Sequence, residues 1–117
     1  MQAIELDLGG ASVRFTGRHG GVSVGRYESL NLGTRTGDRP AAVAENRARA
    51  ADGRPIAAVH QVHGTTVVTL TAADLVPPCE ADGLVTAERG VAALVLTADC
   101  LPVALATPRA VGIVHAG

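Results

Sequence analysis

The stretch Val91–Val103, VAALVLTADCLPV, decides the fold that we expect for this chain. Residues 91–96 are all Val, Ala or Leu, and a short run of this composition is typical of a buried β-strand rather than of a helix. Asp99 and Cys100 follow the run, and Pro102 comes soon after. Because strand ends on a rigid scaffold often present reactive groups, an acid next to a thiol predicts a functional site here.

Two further apolar segments end in histidine. Ile56–Gly64, IAAVHQVHG, ends on His63, and Ala110–Gly117, AVGIVHAG, ends on His115. We therefore expect three strand ends to bring His63, Cys100 and His115 together. One thiolate and two neutral imidazoles can bind zinc and leave a fourth position open, as in catalytic zinc sites. The same residues fit a Cys-His nucleophile pair, and each alone is commonly an ordinary core or surface residue.

The composition limits the classes of protein that we consider. A chain of 117 residues suffices for one domain, and with 47% apolar but only 2% aromatic residues its core must be aliphatic. A formal net charge of -1 gives no reason to expect nucleic acid or an acidic membrane surface as a partner. The N-terminus does not read as a secretory signal, so we expect a cytoplasmic protein with Cys79 and Cys100 as free thiols.

Periodicity predicts an α+β fold with mixed β-sheets and few helices, in a single domain over residues 1–117. The helix is expected over 39–51, capped by Asp38, with Ala41, Ala44 and Ala48 as its apolar face. The expected strand pairs are 2–8 with 11–16, 56–63 with 65–71, and 101–107 with 110–115, beside a short strand at 81–86.

Strand alternation also separates the two histidines of the second segment. His60 and His63 are three residues apart, so in a strand they point to opposite faces, and only His63 is expected at the site. The apolar strand 110–115 has little helix to cover it, so the chain looks cut short. An uncovered strand is a template for association, and we therefore expect self-association.

Five motifs, in order along the chain, resemble those of one family. They are RHGGVS (18–23), SLNLG (29–33), QVHG (61–64), TADCLPV (97–103) and VHAG (114–117). Together they resemble the laccase-domain family, formerly called multicopper polyphenol oxidases and including bacterial peptidoglycan editing factors. The family continues beyond the HAG motif, so the chain resembles its N-terminal part.

The resemblance implies a zinc-dependent purine nucleoside phosphorylase, with adenosine deaminase and methylthioadenosine phosphorylase as further activities. It assigns His63, Cys100 and His115 to the metal, with Asp99, Cys100 and Arg18 at the catalytic centre. Arg18 and Asn31 match polar residues that line the pocket for the nucleoside and phosphate. Arg18 is expected to meet phosphate, because a guanidinium matches phosphate bidentately, and Asp99 to orient a ligand or move a proton.

Three other functions are weighed against this one. A Cys-His hydrolase would use Cys100 as nucleophile and His63 or His115 as base. A truncated, inactive chain would only bind zinc or a partner. Copper oxidase chemistry is the weakest alternative, because multicopper oxidation needs several His clusters and the chain has only four His.

Overall fold

The computed structural model describes residues 2–71 and 79–117 of the chain. These residues form one α-helix, a short 3₁₀ turn at Gly25–Tyr27 and eight strands. In chain order the elements are β1 (Ala3–Asp7), β2 (Ser12–Thr16), α1 (Pro40–Ala50), β3 (Ile56–Ala58), β4 (Val67–Thr69), β5 (Gly83–Thr86), β6 (Ala92–Leu94), β7 (Leu101–Ala106) and β8 (Val111–Ala116).

The chain divides into two compact units. The N-terminal unit holds Val13–Arg54 with the residues before Asp7, and the C-terminal unit holds Asp7–Ser12 and Pro55–Gly117. Strands β1 and β2 pair as a two-stranded sheet, which confirms the first predicted strand pair. Among residues 2–71 and 79–117, no helix has both the length and the apolar character that crossing a membrane requires.

Helix α1 of the N-terminal unit begins and ends at residues suited to those places. Pro40 occupies its first turn, where the missing N–H is no loss. The predicted cap by Asp38 is wrong: Arg39 holds the N-cap position, and the Asp38 carboxylate accepts the Arg39 N–H at 2.8 Å. At the other end, Asp52 is left-handed (φ 56°) and Gly53 N–H reaches back to the Ala48 carbonyl at 2.8 Å, as in a Schellman motif.

The buried face of α1 differs from the one that the alanines predicted. Ala42, Val43 and Asn46 are buried, whereas the three alanines at 41, 44 and 48 are exposed. The prediction failed because it looked only for apolar side chains on the inner face and did not consider Asn46. The Asn46 side chain is fully buried, and both its amide oxygen and its amide nitrogen make hydrogen bonds. Because its polar atoms have partners, it can face the interior as an apolar residue would.

The C-terminal unit contains a mixed four-stranded sheet in the order β4-β5-β8-β7. Strand β4 runs parallel to β5, and β8 is antiparallel to both β5 and β7. The antiparallel pairing of β7 with β8 confirms the predicted strand pair at 101–107 and 110–115. One helix with mixed sheets also confirms the α+β class.

The predicted hairpin of 56–63 with 65–71 is wrong. Strand β3 pairs instead in parallel with β6, and β4 pairs in parallel with β5. An apolar run indicates a strand but does not choose its partner, because pairing depends on backbone hydrogen bonds to distant segments. The buried core of this unit is aliphatic, as the composition predicts, and consists of Ala57, Val59, Leu70, Ala81 and Leu84.

Candidate metal centre

The structure brings His63, Cys100 and His115 together. The ligand atoms of the three side chains all lie within 4.8 Å of one another. The two imidazole rings meet edge to face, with centroids 5.0 Å apart and planes at 70°. His63 is exposed, Cys100 is half-buried and His115 is buried, so the group lies between the interior and solvent.

The pairing of β7 with β8 explains why the thiol and one imidazole meet. Leu101 lies opposite Ala116, and Pro102 lies opposite His115. Cys100 directly precedes β7 and therefore arrives beside the end of β8. It lies in a bend before β7, several residues after β6 ends at Leu94, so the start of β7 rather than the end of the preceding strand presents the thiol.

His63 reaches the group by a different route from the one predicted. Strand β3 ends at Ala58, and His60 forms only an isolated parallel bridge with Glu80. His63 follows in a bend and has a left-handed backbone, with φ at 57°. The alternation argument that separated His60 from His63 therefore does not apply, since the two residues do not share a continuous strand.

Asp82 is a site residue that the sequence interpretation missed. It lies directly before β5 and is 2% exposed, and its Oδ2 lies 2.8 Å from His115 Nδ1. Its carboxylate also accepts backbone N–H groups from Val62, His63 and Gly64, at 3.0, 3.0 and 2.8 Å. The His115 contact, with these backbone bonds, holds the pKa of the Asp82 carboxyl well below its usual range, although burial opposes the shift. The sequence did contain a signal for this residue, namely an acid inside the mostly apolar stretch ADGLVT. An acid that is buried in such a stretch normally has dedicated partners.

Gln61, in the same QVHG motif, has a structural contact. Its side-chain amide donates to the Leu96 carbonyl at 2.7 Å and accepts the Leu96 N–H at 2.8 Å. This two-way bond ties the segment that leads to His63 to the segment that leads from β6 toward Cys100. The glutamine therefore fixes backbone positions on both sides of the candidate ligands.

Gly117 keeps space open beside the three side chains. A Cβ atom built on this glycine would lie 3.3 Å from His63 Nδ1, 3.5 Å from His115 Cε1 and 3.9 Å from Cys100 Sγ. The glycine in the VHAG motif therefore leaves room next to the candidate ligands, where any larger residue would place a carbon atom.

The donor set fits a metal ion. A tetrahedral zinc with bonds of about 2.0–2.3 Å places its ligand atoms roughly 3.5 Å apart, so small side-chain rotations suffice to close the observed group. Thiolate and imidazole together suit zinc better than they suit magnesium or calcium, which prefer oxygen. Because Asp82 occupies His115 Nδ1, the Nε2 atom is the ring nitrogen of that residue available to a metal.

The other predicted site residues lie in different surroundings. Asp99 is exposed in the bend next to Cys100. Cys79, which was expected only as a free thiol, is exposed and lies outside the group. Arg18 and Asn31 belong to the N-terminal unit. The Arg18 guanidinium donates through Nε and Nη2 to the Glu28 carbonyl, at 3.1 and 3.0 Å.

Asn31 bonds within its own loop. Its Oδ1 accepts the Gly33 N–H at 3.1 Å, and its Nδ2 donates to Thr36 Oγ1 and Asp38 Oδ2 at 3.0 and 3.1 Å. This is the turn-stabilising pattern that asparagine commonly adopts. The roles of Arg18 and Asn31 toward a substrate stay predictions.

Residues 12–117 match the model of a family described as multi-copper polyphenol oxidoreductase laccase. The chain belongs to this family. The match covers most of the sequence and confirms the resemblance that the five motifs carried.

Relatives of this laccase-family chain include proteins called purine nucleoside phosphorylases. One from Streptomyces griseus is 49% identical over 119 residues, covering 93% of this chain and 48% of the relative. Another, from Deinococcus radiodurans, is 48% identical over 110 residues, covering 88% of this chain and 42% of the relative. The chain thus spans about half the length of the curated relatives that it matches.

Solved structures of two similar proteins agree with the fold. A Neisseria meningitidis protein has a TM-score of 0.85 and 41% identity, covering 98% of this chain and 50% of that one. YlmD from Geobacillus stearothermophilus has a TM-score of 0.77 and 34% identity, covering 86% of this chain and 43% of that one. The first likeness, at 98% coverage, extends over nearly the whole of this chain.

Proposed function

We propose that this chain is part of a zinc-dependent purine nucleoside phosphorylase and that His63, Cys100 and His115 are its zinc ligands. The observation that carries the proposal is the convergence of these side chains, whose ligand atoms lie within 4.8 Å of one another. The names of the relatives from Streptomyces griseus and Deinococcus radiodurans support the phosphorylase activity. Adenosine and methylthioadenosine phosphorolysis and adenosine deamination are the finer activities that we propose.

Three protein ligands suit a catalytic zinc better than a structural one. Structural zinc sites usually close with four protein ligands, whereas catalytic sites keep a position for water or substrate. The exposure of His63 and the space beside Gly117 support an open position on the solvent side. Bound zinc would supply a Lewis acid that polarises an oxygen atom of the substrate or of water.

The remaining chemistry falls to polar side chains of this chain. We propose that Asp99, exposed beside Cys100, orients a ligand or moves a proton. We propose that Arg18 binds phosphate. Its two contacts with the Glu28 carbonyl occupy two of the five N–H donors that a guanidinium carries. Substrate binding by Asn31 would require its amide to exchange at least one of its loop contacts for the nucleoside.

The partners and location follow from the same proposal. A phosphorylase acts on a purine nucleoside and phosphate, and no nucleic acid or membrane is needed. The free thiols Cys79 and Cys100 support a cytoplasmic location. Self-association also stays a proposal. The strand expected to be uncovered, β8, is paired on both edges with β5 and β7. The proposal is supported instead by the exposure of Leu101 and Leu105 on β7, an edge strand of the sheet.

A Cys-His hydrolase is the second candidate function, because a thiol this near two imidazoles also fits nucleophilic catalysis. The two functions differ in their need for metal. A chelator should abolish phosphorolysis by a zinc enzyme, whereas a Cys-His hydrolase keeps its activity after metal removal and loses it in Cys100→Ala. A zinc-binding but inactive chain would bind the metal and release no purine.

The deciding experiment measures zinc content and phosphate-dependent release of adenine from adenosine. Wild type should hold at most one zinc per chain, and Cys100→Ala should lose both the zinc and the activity. Cys79→Ala is the matched control, because Cys79 is an exposed thiol outside the group and its loss should change neither quantity. Equal zinc in wild type and Cys100→Ala would remove Cys100 from the metal site and refute the proposal.

A further inference from the structure

The Asp82 carboxylate contacts both candidate histidine ligands without belonging to the ligand group itself. Oδ2 lies 2.8 Å from His115 Nδ1 and accepts the backbone N–H of His63 at 3.0 Å. Oδ1 accepts the N–H groups of Val62 and Gly64, at 3.0 and 2.8 Å. One buried side chain therefore connects β8 with the bend that carries His63.

The contact with His115 decides which nitrogen of that ring is available. A carboxylate only accepts hydrogen bonds, so the Nδ1 atom facing it must carry the proton. The proton on Nδ1 leaves the lone pair on Nε2, the atom that can bind a metal. A backbone hydrogen bond also holds the two residues side by side, because the His115 N–H donates to the Asp82 carbonyl at 2.7 Å.

The contacts with residues 62–64 hold His63 in an uncommon backbone conformation. A φ of 57° lies in the left-handed region, which residues other than glycine seldom occupy. Three successive N–H groups point at the same carboxylate, so the bend is fixed by its bonds to Asp82. Without this acceptor, the backbone around His63 would lose the contacts that turn its side chain toward Cys100 and His115.

We propose that Asp82 is a positioning residue for the metal centre, which sets the His115 tautomer and holds the His63 bend so that both imidazoles meet the ion. The proposal rests on the proposed function in one respect, namely that the three side chains bind a metal. It adds a residue that binds neither metal nor substrate and acts through the two ligands. Carboxylate partners of this kind orient metal-bound histidines in many proteins.

The Asp82→Asn variant separates positioning from simple packing. Asparagine has the same shape, but its NH₂ group would face two N–H donors in either orientation: those of Val62 and Gly64, or those of His63 and His115. If the NH₂ group faces His115, it favours the tautomer with the proton on Nε2. That tautomer cannot bind a metal through Nε2.

The matched control is Thr86→Val. Thr86 lies on β5, the strand that Asp82 precedes, is 1% exposed, and accepts the Glu88 N–H at 3.1 Å. The substitution removes a buried polar contact from the same strand with little change of shape. It should lower the stability of the fold without altering the tautomer of His115 or the bend at His63.

The test is a chelator-competition titration with Zn²⁺ and an absorption spectrum with Co²⁺ as a spectroscopic substitute, on wild type and both variants. Asp82→Asn should bind Zn²⁺ roughly 10- to 100-fold more weakly than wild type. Its Co²⁺ spectrum should change because the ligand geometry changes, while Thr86→Val should match wild type in both. The positioning role would be overturned if Asp82→Asn had the Zn²⁺ affinity and Co²⁺ spectrum of wild type. It would also be overturned if Thr86→Val lost as much Zn²⁺ affinity as Asp82→Asn. Either result would leave the metal site itself in place.

A second measurement needs no variant and covers the case in which Asp82→Asn fails to fold. Nitrogen-15 NMR of the zinc-loaded wild-type protein should show His115 with a proton on Nδ1 and the metal on Nε2. The opposite arrangement would overturn the proposal. A wild-type protein that binds neither Zn²⁺ nor Co²⁺ would instead refute the proposed function, and the role of Asp82 with it.

Discussion

Replacing Asn46 by alanine tests how the N-terminal unit is held together. The Asn46 side chain is fully buried and makes three hydrogen bonds, each 2.8 Å long. Its Nδ2 donates to Ser23 Oγ and to the Asn31 carbonyl, and its Oδ1 accepts the Val22 N–H. One side chain on α1 thus joins two loop segments that the motifs RHGGVS and SLNLG supply.

The expected loss follows from these bonds. Each buried hydrogen bond contributes about 1 kcal/mol net, and an unpaired donor costs more. Alanine gains back roughly 0.6 kcal/mol through its higher helix propensity. We therefore expect Asn46→Ala to lower the free energy of unfolding by about 2–3 kcal/mol, measured by urea denaturation.

Two further variants test whether the loss comes from the hydrogen bonds of Asn46. Asn46→Asp keeps the shape and the acceptor for Val22 N–H, but turns a carboxylate oxygen toward the Asn31 carbonyl, so it should destabilise at least as much as alanine. Glu45→Ala, which removes an exposed pair with Arg49, should cost no more than about 0.5 kcal/mol. If Asn46→Ala were as mild as Glu45→Ala, or if Asn46→Asp were nearly neutral, the hydrogen-bond account of this unit would be wrong.

Two other outcomes are expected for the metal centre. Gly117→Ala should weaken Zn²⁺ binding roughly tenfold, because its Cβ would crowd His63 Nδ1 at 3.3 Å, and overpacking of this kind typically costs about 1–3 kcal/mol. Gly112→Ala is the control, because Gly112 lies on β8, the strand that Gly117 follows, and no neighbour is nearer than 3.5 Å to its Cβ. Equal affinity in both variants would contradict the steric argument. His60→Ala should leave zinc content unchanged, since His60 lies outside the ligand group and its contacts with Cys79 and Ala81 are made by the backbone. Loss of zinc in elemental analysis of that variant would show that His60 is a ligand.

The sequence alone determined much of the local structure and the identity of the candidate ligands. Apolar runs that end in polar residues predict where strands occur, because an apolar run is a property of the segment itself, but the strands are shorter than the runs: β3 is Ile56–Ala58 and β6 is Ala92–Leu94. Pro40 and the turn after Ala50 likewise mark the helix through local backbone preferences. His63, Cys100 and His115 could be named in advance because thiol and imidazole side chains are few in this chain, and the motifs around them are specific.

The tertiary structure decided which segments pair and which polar groups are buried. Strands β4 and β5 pair in parallel across a long connection, a choice that depends on hydrogen bonds between distant backbones rather than on either segment's pattern. The stretch ADGLVT could have signalled that Asp82 is buried, but nothing near Asp82 or Asn46 in the sequence reveals which groups they bond. Their burial is stable only where N–H and C=O groups from other segments converge on them, and that convergence exists only in the folded chain.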